Sequence, residues 1–312
     1  LQGDGTVLDD TRELRPVTLV CHWQPQAQFA GYYMAREKGF YRKYGLDVNI
    51  RHAETTVSNT GMLESGKAEF ITTFLSTGIR LRANGIKLVN IGQFSRRSSL
   101  LIAARRSAGI KNALDLNGKR IGIWFSDFQD IPLRFLSSNN IDARIIMTGG
   151  GINMFLYGGV DAMTITTYNE LHSLLNAGIR PEELTLFRLG EYGLDIPEEG
   201  VYCMETYYAA NTALCRDFVR ASLEGWKYAF AHQDETLDVV ERLVREQRLP
   251  LAKIHQKWML REVMALIFPA GPDAAELGLT RETYYSTAEL LKNAGRIKIV
   301  PRYDDFCRGG NP

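Results

Sequence analysis

Two hydrophobic periods alternate along this chain. Val17 to Cys21 is a short apolar run with β-branched members, the pattern of a buried strand. His22-Trp23-Gln24-Pro25 interrupts it, and Pro25 suits the first turn of a helix. Gln26 to Lys43 then predicts a helix, with Phe29, Tyr33, Ala35, Phe40 and Tyr44 among its larger apolar positions and Gly45 as its stop. Leu46, Val48 and Ile50 alternate as a second strand. In a strand–helix–strand unit of this kind, ligands sit at the carboxyl ends of the strands, so the segment after Cys21 delivers Trp23 and Gln26 to a candidate site.

The same alternation continues. A short helix is expected over Thr56 to Gly66 and a strand over Ala68 to Thr73. Ser76 or Thr77 is placed to cap a helix running to Ala83, which Asn84-Gly85 stops. Ile86 to Gln93 and Leu100 to Ala104 are strands. After Arg105 to Gly109 the composition changes. A short helix, a turn at Gly118 and a strand fill Ile110 to Ile123, and a helix follows from Gln129 to Ser138. Strands are expected over Ala143 to Met147, Val160 to Thr166 and Thr185 to Leu189, with a helix over Tyr168 to Ala177. Val201 to Met204 is a returning strand. Beyond Thr206 the period is helical: Asn211 to His232, Glu235 to Gln247, Leu251 to Ile267 and Thr280 to Ala294, interrupted at Pro269, Gly271 and Pro272.

This pattern predicts an α/β protein of two lobes, each a doubly wound sheet flanked by helices, with a helical C-terminal tail. The expected division is 11–104 plus 201–312 for a discontinuous first lobe, 105–200 for an inserted second lobe, and 1–10 as a disordered lead-in. Two crossovers, near 104 and 200, would leave a cleft that closes about a hinge.

Composition narrows the function. The 312 residues are 45% hydrophobic and 23% charged, ordinary for a globular protein. A net charge of +1 gives no electrostatic case for nucleic acid. No apolar run approaches the roughly 18 residues of a membrane span. Leu1 to Gly5 is polar from the start, so either the protein is cytoplasmic or any secretory leader has been removed. Cys21, Cys203, Cys215 and Cys307 form no CxxC pair, which disfavours zinc and thioredoxin-type chemistry. They are expected to be small buried hydrophobes rather than disulfide partners. No nucleophile elbow, HExxH or kinase motif is present, so no catalytic residue is assigned.

The candidate ligand-binding residues lie at strand ends. Trp23 offers a flat surface for stacking on a planar heterocycle, although a core tryptophan is the alternative. Gln26 and Gln28 could donate and accept there, Gln28 equally well facing solvent, and His22 either contacts ligand or packs by the strand. Thr73 and Ser76, with backbone amides at a helix start, suit an anionic or carbonyl group, or simply a cap. Arg96 points into the cleft or into solvent. Trp124 and Tyr168 would form an opposite stacking wall; Ser126, Asp127 and Asn169 would supply polar contacts. Asn169 and Glu170 equally well begin a solvated helix. Tyr202 and Glu205 would sit at the hinge and floor, with a hinge salt bridge as the other role for Glu205. Gly149-Gly150-Gly151 is not a dinucleotide fingerprint; it is expected to permit positive φ at a helix start.

One long motif carries a resemblance: HWQPQAQFAGYYMAREKGFYRKYGLDV, from His22 to Val48, resembles the opening of the NMT1/THI5-like family. The resemblance implies a periplasmic or other extracytoplasmic solute-binding protein of an ABC importer, of the thiamine-precursor pyrimidine type. Its partners would be a small-molecule ligand and the importer permease, with no nucleic acid. Membrane contact would come only through that permease or a removed N-terminal anchor. No cofactor is expected. The family's pyrimidine synthases carry a cysteine-rich motif that the region GGGINMFLYGGVDA lacks, and His52 and Lys67 make no convincing pyridoxal phosphate pair. A synthase, a ligand-sensing domain and a binder of a sulfonate or another aromatic ligand are the alternatives.

Overall fold

The computed structural model describes residues 13–53, 58–124, 129–274 and 277–309. The expected lead-in, Ser126 and Asp127 lie outside the described residues. Ten strands result: β1 (Arg15–Cys21), β2 (Leu46–His52), β3 (Phe70–Phe74), β4 (Leu88–Gln93), β5 (Leu100–Arg105), β6 (Arg120–Trp124), β7 (Arg144–Thr148), β8 (Ala162–Thr166), β9 (Leu184–Arg188) and β10 (Glu199–Met204). They form two five-stranded sheets, ordered β2-β1-β3-β10-β4 and β7-β6-β8-β5-β9. In the first, β1 runs parallel to β2 and β3, and β10 runs antiparallel to β3 and β4. In the second, β6 runs parallel to β7 and β8, and β5 runs antiparallel to β8 and β9. Each sheet therefore has one strand returning against the rest.

Three boundaries differ from the sequence expectation. Gln26 to Lys43 is not one helix: a 3₁₀ turn over Ala27–Phe29 leads into Ala30–Glu37, and a separate turn covers Phe40–Lys43. Gly39, at φ 72°, makes the break, a conformation other residues reach only with strain. Next, β5 belongs to the second sheet. Its side chains are buried on both faces, Leu100 and Ile102 in one core and Leu101 and Ala103 in another. Such a strand needs neighbours on both sides, and β8 and β9 supply them. The chain therefore changes sheets at 94–99 rather than near 104. Finally, the return strand starts at Glu199 rather than Val201.

The helical tail covers the first sheet. Thr212–Ala231 crosses Ala30–Glu37 so closely that a Cβ on Gly225 would lie 2.1 Å from the Gly31 carbonyl oxygen. A Cβ on Gly31 would meet the Trp226 ring at 2.1 Å. This crossing holds the helix that follows the candidate site. All four cysteines are buried and unpaired.

Gly225→Ala is expected to lower stability by about 1–3 kcal/mol, the usual cost of overpacking a tight interior. Denaturant unfolding measures it. An unchanged midpoint would mean that the two helices are not in backbone contact at this pair.

Candidate functional site

The strand directions bring the carboxyl ends of β1 to β4 to one edge of the first sheet, together with the amino end of β10. The second sheet turns the corresponding edge toward it: the ends of β6 to β9 and the start of β5. Two segments, 94–99 and 189–198, link the sheets and are tied to each other. The Ser95 amide donates to the Glu199 carbonyl at 2.9 Å, and the Ser98 amide to Asp195 Oδ1 at 2.8 Å. Arg97 pairs with Asp195 at 3.0 Å.

A cavity with about 270 Å³ of empty space, part of it open to solvent, lies beside these links. Gln28, Ser95, Tyr168, Glu198 and Glu199 form its polar lining. Val263, Leu266 and Ile267, from the Lys253–Ile267 helix, form its apolar wall. Tyr168 comes from the segment after β8, so both sheets contribute.

Two buried carboxyls dominate the electrostatics. Glu198 Oε1 accepts from the Ser99 amide at 2.5 Å and the Ser99 hydroxyl at 2.9 Å. Burial nevertheless pushes its pKa up to about 7. Glu199 Oε1 accepts from Tyr32 Oη at 3.1 Å, while Oε2 has no hydrogen-bond partner among the described residues. Burial pushes Glu199 up to about 8, with the charge of Glu198 adding to it. His22 stands beside them, its Nδ1 3.7 Å from Glu199 Oε2, and burial holds it down at about 3.

The expected residues divide. Gln26 is buried and donates to Gln28 Oε1 at 2.6 Å; Gln28 and Tyr168 line the cavity. Trp23 is 52% exposed, at the carboxyl end of β1, where its carbonyl lies 2.6 Å from His52 Nδ1. Thr73 is buried in β3 opposite Gly200 and is not among the cavity's lining. Ser76 and Thr77 do not cap Leu75–Ala83, because the helix starts at Leu75, whose amide donates to the Glu198 carbonyl at 2.8 Å. That bond occupies the first amide of the helix start. Arg96 donates to the Gly278 carbonyl at 2.5 Å rather than lining the cavity. Trp124 packs in the second-sheet core with Ile123 and Phe135 and is not among the cavity's lining. Tyr202 packs on the far face of the first sheet with Tyr284 and Phe306. Glu205 follows the opposite end of β10 and pairs with Arg82 and Arg308 at 3.2 and 3.7 Å, a structural role away from the cavity.

Asn169 serves the contact between lobes instead of the cavity. Its Oδ1 lies 2.8 Å from His255 Nε2, and its Nδ2 donates to Glu170 Oε1 at 2.7 Å. Glu170 is buried, so this helix start is not solvated. His255 Nδ1 lies 2.9 Å from His172 Nδ1, and Trp258 stacks on His172 while donating to the Thr167 carbonyl at 2.8 Å. Gly151 does take a positive φ, of 97°. Among the described residues no cluster of His, Cys, Asp and Glu is placed to hold a metal ion.

Glu198 and Glu199 escaped the sequence analysis. Their signal was an acidic pair directly before the return strand, which the misplaced start of that strand hid.

Two sheets joined by two tied segments, with a polar cavity at their facing strand ends, define the two-lobed periplasmic-binding-protein fold. The periplasmic aliphatic sulphonate binding protein SsuA from Escherichia coli shares it, with a TM-score of 0.72 at 15% identity over 95% of this chain and 92% of that one. The chain belongs to the NMT1/THI5 like family, whose model matches residues 26–236. Among its relatives, the riboflavin-binding protein RibY of Chloroflexus aurantiacus is 24% identical over 91% of this chain and 82% of its own length. The formylaminopyrimidine-binding protein of Halalkalibacterium halodurans is 21% identical over 78% of this chain and 74% of its own length. No helix among the described residues is long and apolar enough to cross a membrane.

The buried carboxyls set a pH dependence. Folded Glu198 and Glu199 hold protons that the unfolded chain releases near its ordinary carboxyl range, so their contribution to stability is lost as pH rises through about 7 and 8. The lowered His22 and His52 act oppositely, adding stability as pH rises from about 3 or 4 toward 6.5. Taken together these four groups place the ligand-free protein's greatest stability near about pH 5.5, with stability falling from there to pH 8. Glu198→Gln with Glu199→Gln should flatten that alkaline slope. Thermal midpoints across pH test this; a slope unchanged in the double variant would show that the carboxyls are not its source.

Proposed function

We propose that this chain is the solute-binding component of an ABC importer. Its ligand in this reading is a small planar amino-heterocycle of the thiamine-precursor pyrimidine class. The observation that carries it is the pair Glu198 and Glu199 on the cavity wall, with no arginine or lysine among the lining residues. A carboxyl that is protonated near neutral pH offers an O–H and a carbonyl side by side. That pair matches a ring nitrogen and the exocyclic amine beside it. The unpartnered Oε2 of Glu199 is the atom such an amine would satisfy. Tyr168 supplies a stacking face, and Val263, Leu266 and Ile267 exclude water.

The same residues argue against anions. A sulfonate carries full charge, and no arginine or lysine among the lining residues offsets it. The likeness to the sulphonate binding protein therefore extends to fold alone. Riboflavin shares the planar nitrogen heterocycle but is far larger than one ring. Ligand delivery to a permease would place the chain outside the cytoplasmic membrane.

Thermal-shift and calorimetric titrations test the reading, using hydroxymethyl- and formylamino-pyrimidines, riboflavin and alkanesulfonates. Pyrimidines should stabilise by about 2.7 kcal/mol at a hundredfold excess over Kd. Tyr168→Ala should cost about 1–3 kcal/mol of binding through lost stacking. Glu199→Leu should cost a similar ~1–3 kcal/mol by leaving the ligand amine unpaired. A shift with sulfonates alone, or undiminished binding in both variants, would overturn the assignment.

A further inference from the structure

We propose that His172 and His255 form an acid-opened latch between the lobes: the pair ties the lobes together while at least one ring is neutral, and a second proton drives them apart. The proposal does not depend on which ligand fills the cavity.

The two rings come from different lobes. His172 lies on Glu170–Asn176, the helix after β8. His255 lies on Lys253–Ile267, whose Met259, Leu260 and Val263 pack in the first-lobe core. Their Nδ1 atoms are 2.9 Å apart and their ring centroids 5.1 Å. The difference is about two ring radii, so the nitrogens point at each other rather than at a shared third atom, as they would on a metal ion. The other histidines, His22, His52 and His232, meet partners within the first lobe: Thr72, Tyr33 and Tyr228.

Uncharged side chains flank the pair. Trp258, one turn on, stacks on His172 with centroids 4.9 Å apart, packs against the second-lobe core and donates to the Thr167 carbonyl at 2.8 Å. Asn169 Oδ1 lies 2.8 Å from His255 Nε2, and Asn176 Nδ2 lies 3.0 Å from His172 Nδ1. The titratable groups on the same two helices are engaged or turned away. Glu170 is buried and accepts from Thr166 and Asn169. Lys253 pairs with Asp238 and Glu241, and Lys257 and Arg261 are exposed. Glu262 stands two turns beyond His255. Burial lowers the pKa of both imidazoles, and His172 lowers that of His255 further.

A nitrogen–nitrogen contact of this length is a hydrogen bond when one atom carries a proton and the other a lone pair. That condition holds whichever ring supplies the proton, and the amides of Asn169 and Asn176 can offer either edge. Two neutral rings satisfy it. One neutral and one cationic ring satisfy it too, because the cation donates. Two cations cannot: N–H then faces N–H, and two like charges are held in contact within a partly buried seam. Moving the lobes apart relieves the clash and the repulsion together. In the open form each ring takes its proton near the ordinary histidine value of about 6.5. The closed form refuses the second proton until a lower pH, so it is fully favoured above about 6.5 and loses favour as pH falls below that value. A solute held between the lobes is released by acid for the same reason.

Hydrogen exchange at the Trp258 indole N–H reads the latch, because its bond to Thr167 crosses the lobe boundary. Its protection in the ligand-free protein, corrected for the intrinsic rate, should fall about tenfold from pH 6.5 to pH 5.0. The Trp226 indole, buried in the first-lobe core, reports global unfolding and should change far less. His255→Gln leaves a single imidazole at the seam, so the fall at Trp258 should vanish. His172→Gln should do the same, and it serves if the first variant does not fold. Protection at Trp258 that does not fall in the parent overturns the proposal. So does an equal fall in a folded variant, or a fall at Trp226 in step with Trp258.

Discussion

The structure turns on one buried amide. Gln93, the last residue of β4, places its Nε2 3.1 Å from the Ser95 carbonyl and 3.2 and 3.0 Å from those of Glu198 and Glu199. It thus ties the outgoing link to the returning one, inside the protein, where an unmade hydrogen bond is expensive. Asn90 Nδ2 donates to its Oε1 at 3.0 Å and fixes its orientation. The tie needs Gly200: a Cβ there would stand 2.8 Å from both Asn90 Nδ2 and Gln93 Oε1. With the links held as a unit, the two strand-end rows face each other at a set distance, and the cavity has a floor.

That floor explains the electrostatics. The backbone of Glu198 and Glu199 is engaged by Gln93, Leu75 and Ser95, which fixes both Cα positions inside the protein. Burial therefore falls on the carboxyls and raises both pKa values, and proximity to Glu198 raises Glu199 further. Ser98 and Ser99 satisfy Glu198, which belongs to the architecture. Glu199 keeps one oxygen unsatisfied.

The alternation of strands and helices was legible because both sheets bury their strands between helices, which leaves strong apolar runs such as Val17–Cys21 and Leu100–Ala104. Sheet membership was less legible. A fully buried run such as Leu100–Arg105 fits the centre of either sheet, and only its partners β8 and β9 decide. At the cavity, strand-end logic points to Gln28 and Tyr168, which line it, and to Gln26 and His22, which hydrogen-bond or sit beside Gln28. Trp124, the last residue of β6, still packs in the second-sheet core, because a side chain at a strand end can turn toward the sheet's buried face. Tyr202 and Glu205 failed for another reason. Their strand runs antiparallel, so its carboxyl end lies at the edge away from the cavity, and its amino end carries the acidic pair that lines it. Direction along the sheet, which local periodicity does not encode, separates Glu199 from Glu205.

The helical tail does more than cover the first sheet. The Lys253–Ile267 helix gives the cavity its apolar wall through Val263, Leu266 and Ile267 and, one turn or more earlier, meets the second lobe through His255 and Trp258. On another stretch of the tail, Arg296 pairs with Asp130, at the start of the Asp130–Ser138 helix, at 2.5 Å. The tail therefore bridges the lobes at two places besides the links. Opening the cleft must break the His255–Asn169 contact and the Trp258 stack, and closing it restores them whether or not a ligand is present. Those contacts alone cannot make closure ligand-dependent. The dependence has to come from groups satisfied only when the cavity is filled. Among the described residues that line the cavity, Glu199 carries the buried carboxyl oxygen least satisfied by hydrogen bonds within the protein.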